Sequence, residues 1–140
     1  MLLMWTENLS VGVKDLDDDH KQLIAMINNL HTEIEAVGAT GKLNRKTIEK
    51  ALRRLHDYTK GHCEREELYF FQTGYPCQES HRQEHLKLIE MLAGMTERFH
   101  DSTSPQDATE IMQSVYDWVT GHIYVTDRQY SSHFHAHQIF

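Results

Sequence analysis

Cysteine and proline are nearly missing: Cys63, Cys77 and two prolines are all that 140 residues contain. With so few thiols at most one internal bridge can form, which excludes the disulfide frameworks of small secreted domains. Long apolar runs are missing too. The longest are Met1 to Trp5 and Leu68 to Phe71, far short of the roughly 20 residues a helix needs to cross a bilayer. No basic stretch precedes the first run, so the N-terminus does not read as a secretory signal; the chain is expected to be cytoplasmic, with no membrane insertion. Positive charge is the scarcer sign, 14 Lys and Arg against 21 Asp and Glu for a net −7. That balance argues against nucleic acid as a partner, and against anionic lipid. A chain of this length is expected to form one domain, 1–140, with a core of its own.

Turn-forming stretches divide the chain at Gly38 to Gly41, Thr73 to Pro76 and Asp101 to Pro105, and proline is absent from the interiors of the four segments between them. Within each segment apolar or histidine positions recur at steps of three and four, the seam of a helix packed in a bundle. The seams read Leu16, His20, Leu23, Ile27, Leu30, Ile34, Val37; Ile48, Leu52, Leu55, Thr59, His62, Glu66, Tyr69; His81, His85, Leu88, Leu92, Met95, Phe99; and Ile111, Val115, Trp118, His122, Val125. No segment alternates as a half-buried strand would. The fold class is therefore all-α, an up-down-up-down antiparallel four-helix bundle, with helices over about 16–37, 45–72, 78–101 and 105–130. Asn44 is expected to cap the second helix, with Leu43 as a staple, and Ser104 the fourth, ahead of Pro105 and Asp107. An arm of about 15 residues carrying Trp5, Leu9, Val11 and Val13 precedes the bundle, and a tail, 131–140, follows it.

Histidine is plentiful, with 11 residues, and its placement carries the functional reading. A seam should be apolar, because an ionisable group taken out of water costs free energy unless it is paired, hydrogen-bonded or bound to a metal. His20, His62, Glu66, His81, His85 and His122 all break that rule, and every helix contributes at least one. His62 and Glu66 are four apart, as are His81 and His85, so each pair shares a helix face and can converge on one point. Two metal ions fit this pattern. Asp127 follows His122 by five residues, out of phase on a regular helix; a one-residue π-bulge or a helix end near Tyr124 to Asp127 would restore it. Imidazoles with carboxylates and no thiolate at zinc-like spacing suit a borderline first-row ion, iron ahead of zinc and manganese.

These residues lie in stretches that resemble the hemerythrins, in their single-domain bacterial form, the bacteriohemerythrins. The resemblance covers nearly the whole chain and rests on Trp5 to His20 (WTENLSVGVKDLDDDH), His62 to Glu67 (HCEREE), Gly74 to Pro76 (GYP), His81 to His85 (HRQEH) and His122 to Asp127 (HIYVTD). Cys63 stands where that family usually carries an aromatic residue. The resemblance implies two iron ions with a bridging oxo or hydroxo group. One iron takes His81, His85 and His122, the other His20 and His62, while Glu66 and Asp127 bridge both. The second ion is then short of one neighbour, and dioxygen is expected to bind reversibly at that open position. Val119, Ile123 and Trp118, around His122, are the expected walls of the oxygen pocket.

The function so implied is oxygen storage, transport or delivery to an oxygen-consuming enzyme partner, in a binding protein rather than an enzyme. The alternatives are a di-iron enzyme acting on peroxide, nitric oxide or ferrous iron, and an oxygen or redox sensor module. The sensor is disfavoured on the expectation that no signalling segment accompanies the bundle, and the enzyme because no obvious general acid sits on the seam. Outside the seam, His31, His56, Tyr58 and His100 read as packing or surface residues, and Glu97 with His100 as an isolated E-x-x-H. Cys63 reads as a small buried hydrophobe and Glu67 as the less favoured bridge. His133, His135 and His137 read as a solvated or packed tail rather than a metal-binding tract. The acidic run Asp15 to Asp19 is expected to serve the positive end of the first helix.

Overall fold

The computed structural model describes residues 2–40, 44–101, 105–123 and 127–140. The described residues form five helices, α1 (Lys14–Thr40), α2 (Arg45–Thr73), α3 (Gln78–Asp101), α4 (Pro105–Gly121) and α5 (Ser131–Ala136), with 3-10 turns at Glu7–Leu9 and Asp127–Tyr130. Helix α1 packs on α2, α2 on α3, α3 on α4 and α4 on α1, closing a ring. Polar contacts give the directions. Asp19 near the start of α1 meets Arg65 late in α2, Glu49 near the start of α2 meets His100 at the end of α3, and Arg98 meets Asp107 at the start of α4. Successive helices are therefore antiparallel, the four-helix bundle that the periodicity predicts. No described helix is long and apolar enough to cross a membrane.

Asn44 accepts from the Thr47 N–H at 3.2 Å and caps α2 as expected; the staple residue Leu43 and the cap Ser104 lie outside the described residues. Gly74 closes α2 at φ 64 and ψ 42 and donates its N–H to Phe70 O, the left-handed cap that glycine adopts without a Cβ penalty. Gly38 does not serve α1 in this way. The helix runs through it to Thr40, beyond the expected end at 37.

Two further boundaries depart from expectation. Helix α4 closes at Gly121 instead of continuing to 130; the backbone widens to the π form at His122 and Ile123 and returns as a 3-10 turn at Asp127. The part of the expected bulge at 124–126, with the seam residue Val125, lies outside the described residues. The tail is not merely a tail either: α5 occupies 131–136 and buries Phe134. Breaking the fourth helix lets Tyr130 and Phe134 fold back on Phe70, at ring distances of 5.5 and 5.6 Å. Phe70, and not Tyr69, accordingly takes the last core position of α2, fully buried where Tyr69 is half-exposed.

The apolar interior falls into two clusters. The larger fills most of the bundle, with Leu23, Ile27, Leu52, Leu88, Leu92 and Val115 among its members; the smaller gathers Val11, Val13, Leu16, Phe70, Tyr75, Tyr130 and Phe134 where the arm and α5 meet. Each such side chain contributes about 1.5–3 kcal/mol by leaving water. The polar seam residues form the layer between the clusters, as their order shows: Leu16, His20, Leu23 on α1 and Leu55, His62, Glu66, Phe70 on α2.

The arm is pinned by hydrogen bonds. Asn28 accepts from the N–H groups of Leu2 and Leu3 at 3.0 and 2.8 Å and donates to Leu3 O. Asp17 accepts from Val11 N–H at 2.8 Å and from the Ser10 hydroxyl. At the far side Ser131 Oγ donates to Val11 O, and His135 Nε2 bonds Gly12 O at 2.9 Å. Gly12 has φ 74, and a Cβ there would run into the His135 ring.

Candidate metal centre

The structure brings six of the seven candidate ligands into one buried layer. His20, His62, Glu66, His81, His85 and His122 are each no more than 3% exposed. The helical spacings do what they predict, with His62 above Glu66 on α2 and His81 beside His85 on α3. Asp127 begins the 3-10 turn after the widened backbone, and its side chain lies outside the described residues.

The imidazoles separate into two sets. His20 and His62 stand edge to face with ring centroids 4.8 Å apart. His81, His85 and His122 form a triangle with centroid distances of 4.6, 5.2 and 5.2 Å. Glu66 lies between the sets and divides its carboxylate. Its Oε1 faces His20 Nε2 at 3.7 Å and, closer, His62 Nε2; its Oε2 faces His81 Nε2 at 3.2 Å and His85 Nε2 at 3.6 Å. Possible ligand atoms thus converge twice, in Glu66, His81, His85 and His122 and in His20, His62 and Glu66.

His85 fits a metal better than it fits a hydrogen-bonded core. Neither ring nitrogen of His85 makes a hydrogen bond although both are buried, and leaving buried polar atoms unsatisfied costs about 1–3 kcal/mol each. A fully buried carboxylate facing several imidazole nitrogens is an arrangement that a cation satisfies at once, and the nitrogen-rich donors suit a first-row transition ion.

Behind this layer lies a group that the sequence reading missed. Asp19 Oδ2 accepts from His62 Nδ1 at 2.9 Å and Arg65 Nε at 2.8 Å; Oδ1 accepts from Arg65 Nη2 at 2.6 Å and from the Tyr58 hydroxyl at 2.8 Å. Burial works to raise the Asp19 carboxyl, and the hydrogen bonds from His62, Arg65 and Tyr58 outweigh it, holding the group well below the usual carboxylate range. Partial burial, with the Asp19 carboxylate as acceptor, pushes the Tyr58 phenol up to about 12. Asp19 is therefore a partner of His62 rather than only a charge for the helix end, and Tyr58 is more than a packing residue. The signal was present: Tyr58 and Arg65 stand four before and three after His62, flanking it on the helix surface.

The remaining candidates fall into place. Trp118 stacks on His122 at 4.5 Å and lines a cavity of about 10 Å³ with Leu23, Ile27, Leu55, Thr59, Leu88, Met91, Leu92 and Val115. Val119 and Ile123 are buried in the larger core cluster but do not line that cavity. Cys63 is buried and Cys77 exposed, and neither is in a disulfide. Glu67 comes no nearer than 3.7 Å to His85 Nδ1. His133 bonds the Thr73 hydroxyl through Nε2 at 2.9 Å, and His137 Nδ1 bonds His133 O at 2.9 Å, so these histidines are parts of the packed end of the chain.

The chain is similar to known proteins in sequence and in fold. The profile of the family described as "Hemerythrin HHE cation binding domain" matches residues 11–133. A bacteriohemerythrin of Methylococcus capsulatus is 34% identical over 132 residues, 92% of this chain and 94% of that protein. One from Stenotrophomonas maltophilia is 29% identical over 136 residues, 97% of this chain and 84% of its relative. A crystal structure of wild-type hemerythrin superposes with a TM-score of 0.78 at 31% identity, covering 94% of this chain and 97% of that one.

Proposed function

Because this chain belongs to the hemerythrin HHE cation-binding family, we propose that it binds dioxygen reversibly at a pair of iron ions inside the bundle. Its role would be oxygen storage, transport or delivery to an oxygen-consuming enzyme in the cytoplasm. The observation that carries the reading is the division of Glu66, one oxygen toward His20 and His62, the other toward His81 and His85. His81, His85 and His122 would hold one ion and His20 and His62 the other, with Glu66 shared and Asp127 the second shared carboxylate. An iron pair with a bridging oxo or hydroxo group supplies the two electrons that dioxygen takes on binding and returns on release.

The rest is the work of the chain. The His20 and His62 set offers one imidazole fewer, so dioxygen would enter on that side. Apolar clusters above and below the layer keep bulk water away from it. Trp118, held flat against His122, lines the neighbouring cavity; Val119 and Ile123 belong to the core cluster against which it packs. The test is optical. Iron-loaded, reduced protein should gain charge-transfer absorption when air is admitted and lose it when oxygen is removed, over repeated cycles. Irreversible oxidation in the first cycle, or turnover of added peroxide, would replace the carrier by an enzyme.

A further inference from the structure

At the metal layer, His62 is held from behind at full hydrogen-bond distance by a carboxylate. Its Nδ1–H donates to Asp19 at 2.9 Å while Nε2 faces Glu66. Asp19 itself cannot turn, because Arg65 grips both of its oxygens, at 2.8 and 2.6 Å, and Tyr58 adds a third donor at 2.8 Å. The comparison within the layer is His85, in the other set. The nearest carboxylate to its Nδ1 is Glu67, at 3.7 Å, and that nitrogen makes no hydrogen bond.

A carboxylate behind an imidazole fixes which nitrogen carries the proton, orients the ring, and raises the basicity of the nitrogen that faces the metal. We propose that Asp19 is a positioning residue that makes His62 a stronger nitrogen donor than His85. A stronger donor favours the more highly charged state of the ion that His62 would hold. Arg65 and Tyr58 serve this role by fixing the carboxylate. The inference rests on the two-ion reading given above and adds to it a residue that tunes one of the ligands.

The test compares wild-type protein with Asp19→Asn, which keeps the size and removes the charge, and with Arg65→Lys, which loosens the grip at a side chain that is 45% exposed. Zinc is titrated in competition with a chelator, and the midpoint potential of the iron-loaded protein is measured by spectroelectrochemistry. Wild type should take two zinc ions. In Asp19→Asn binding should weaken about 10–100-fold, and the midpoint should rise, by about 59 mV for each tenfold loss of preference for the oxidised ion. Arg65→Lys should move both quantities the same way by less. Nitrogen-15 spectra of the zinc-loaded wild type should place the His62 proton on Nδ1. Unchanged zinc affinity and potential in both variants, or a proton on Nε2 of His62, would overturn the role of Asp19. If Asp19→Asn loses its helix content, Arg65→Lys and the nitrogen spectra decide. Fewer than two zinc ions in wild type would remove the two-ion reading itself; two in wild type with matching variants would remove only this addition to it.

Discussion

The two sets of donors make a count that a melting curve can read. A ligand that binds only the folded state stabilises it by RT ln(1 + [L]/Kd), so an ion held at a hundred times its dissociation constant adds about 2.7 kcal/mol. Two such ions, one on His20, His62 and Glu66 and one on Glu66, His81, His85 and His122, add about 5 kcal/mol. For a chain of this length each kcal/mol moves the melting temperature by roughly 3 °C, so stripping the metal should lower it by roughly 15 °C. The slope is sharper than the total. Above saturation each tenfold rise in free metal adds about 1.4 kcal/mol per bound ion, so two ions give roughly 8 °C per decade and one ion roughly 4 °C. Zinc in a chelator buffer avoids redox chemistry, and circular dichroism at fixed protein concentration follows the helices. A slope near that of one ion would mean that one set of donors does not bind, and a melting temperature indifferent to metal would refute the centre altogether.

Glu66→Gln removes the charge shared by both sets; the metal dependence of melting should flatten while helix content is kept, and a wild-type slope would take Glu66 out of the centre. Neighbouring phenylalanines should behave oppositely in urea. Phe70→Ala, fully buried against Tyr75, His81, Tyr130 and Phe134, should cost about 3–5 kcal/mol, whereas Phe71→Ala, at 79% exposure, should stay within about 0.5 kcal/mol. Gly12→Ala should cost at least about 1–2 kcal/mol for the left-handed backbone alone. Adding His135→Ala should relieve the collision with that ring, so the pair of changes should cost less than their sum in urea unfolding.

Periodicity made most of the fold legible, because a seam at steps of three and four is the imprint of burial on a helix; Leu23, Ile27, Leu52 and Leu92 are in the core as that pattern requires. The metal layer was legible for the same reason in reverse. Histidines and a glutamate on a seam contradict burial unless something binds them, and six such residues do come together. What escaped was set by tertiary contact. Asp19 sits in an acidic run that a helix start explains well enough, and its bonds to His62 and Arg65 cross 43 and 46 residues of sequence. Tyr69 and Phe70 are equally plausible at the end of a seam, and the aromatic rings of the last residues decide between them. Residues 131–136 read as tail because chain ends often lack a specific role, yet Phe134 anchors them as a helix.

The hollow beside Trp118 is lined mostly by hydrocarbon. A buried water needs two to four hydrogen-bonding partners, and the side chains around this space offer only the Thr59 hydroxyl and the Trp118 indole N–H. A diatomic gas or a xenon atom leaves no such bonds behind in solvent. Leucines, an isoleucine and a valine make up most of that wall, so an apolar guest gives up less there than water does.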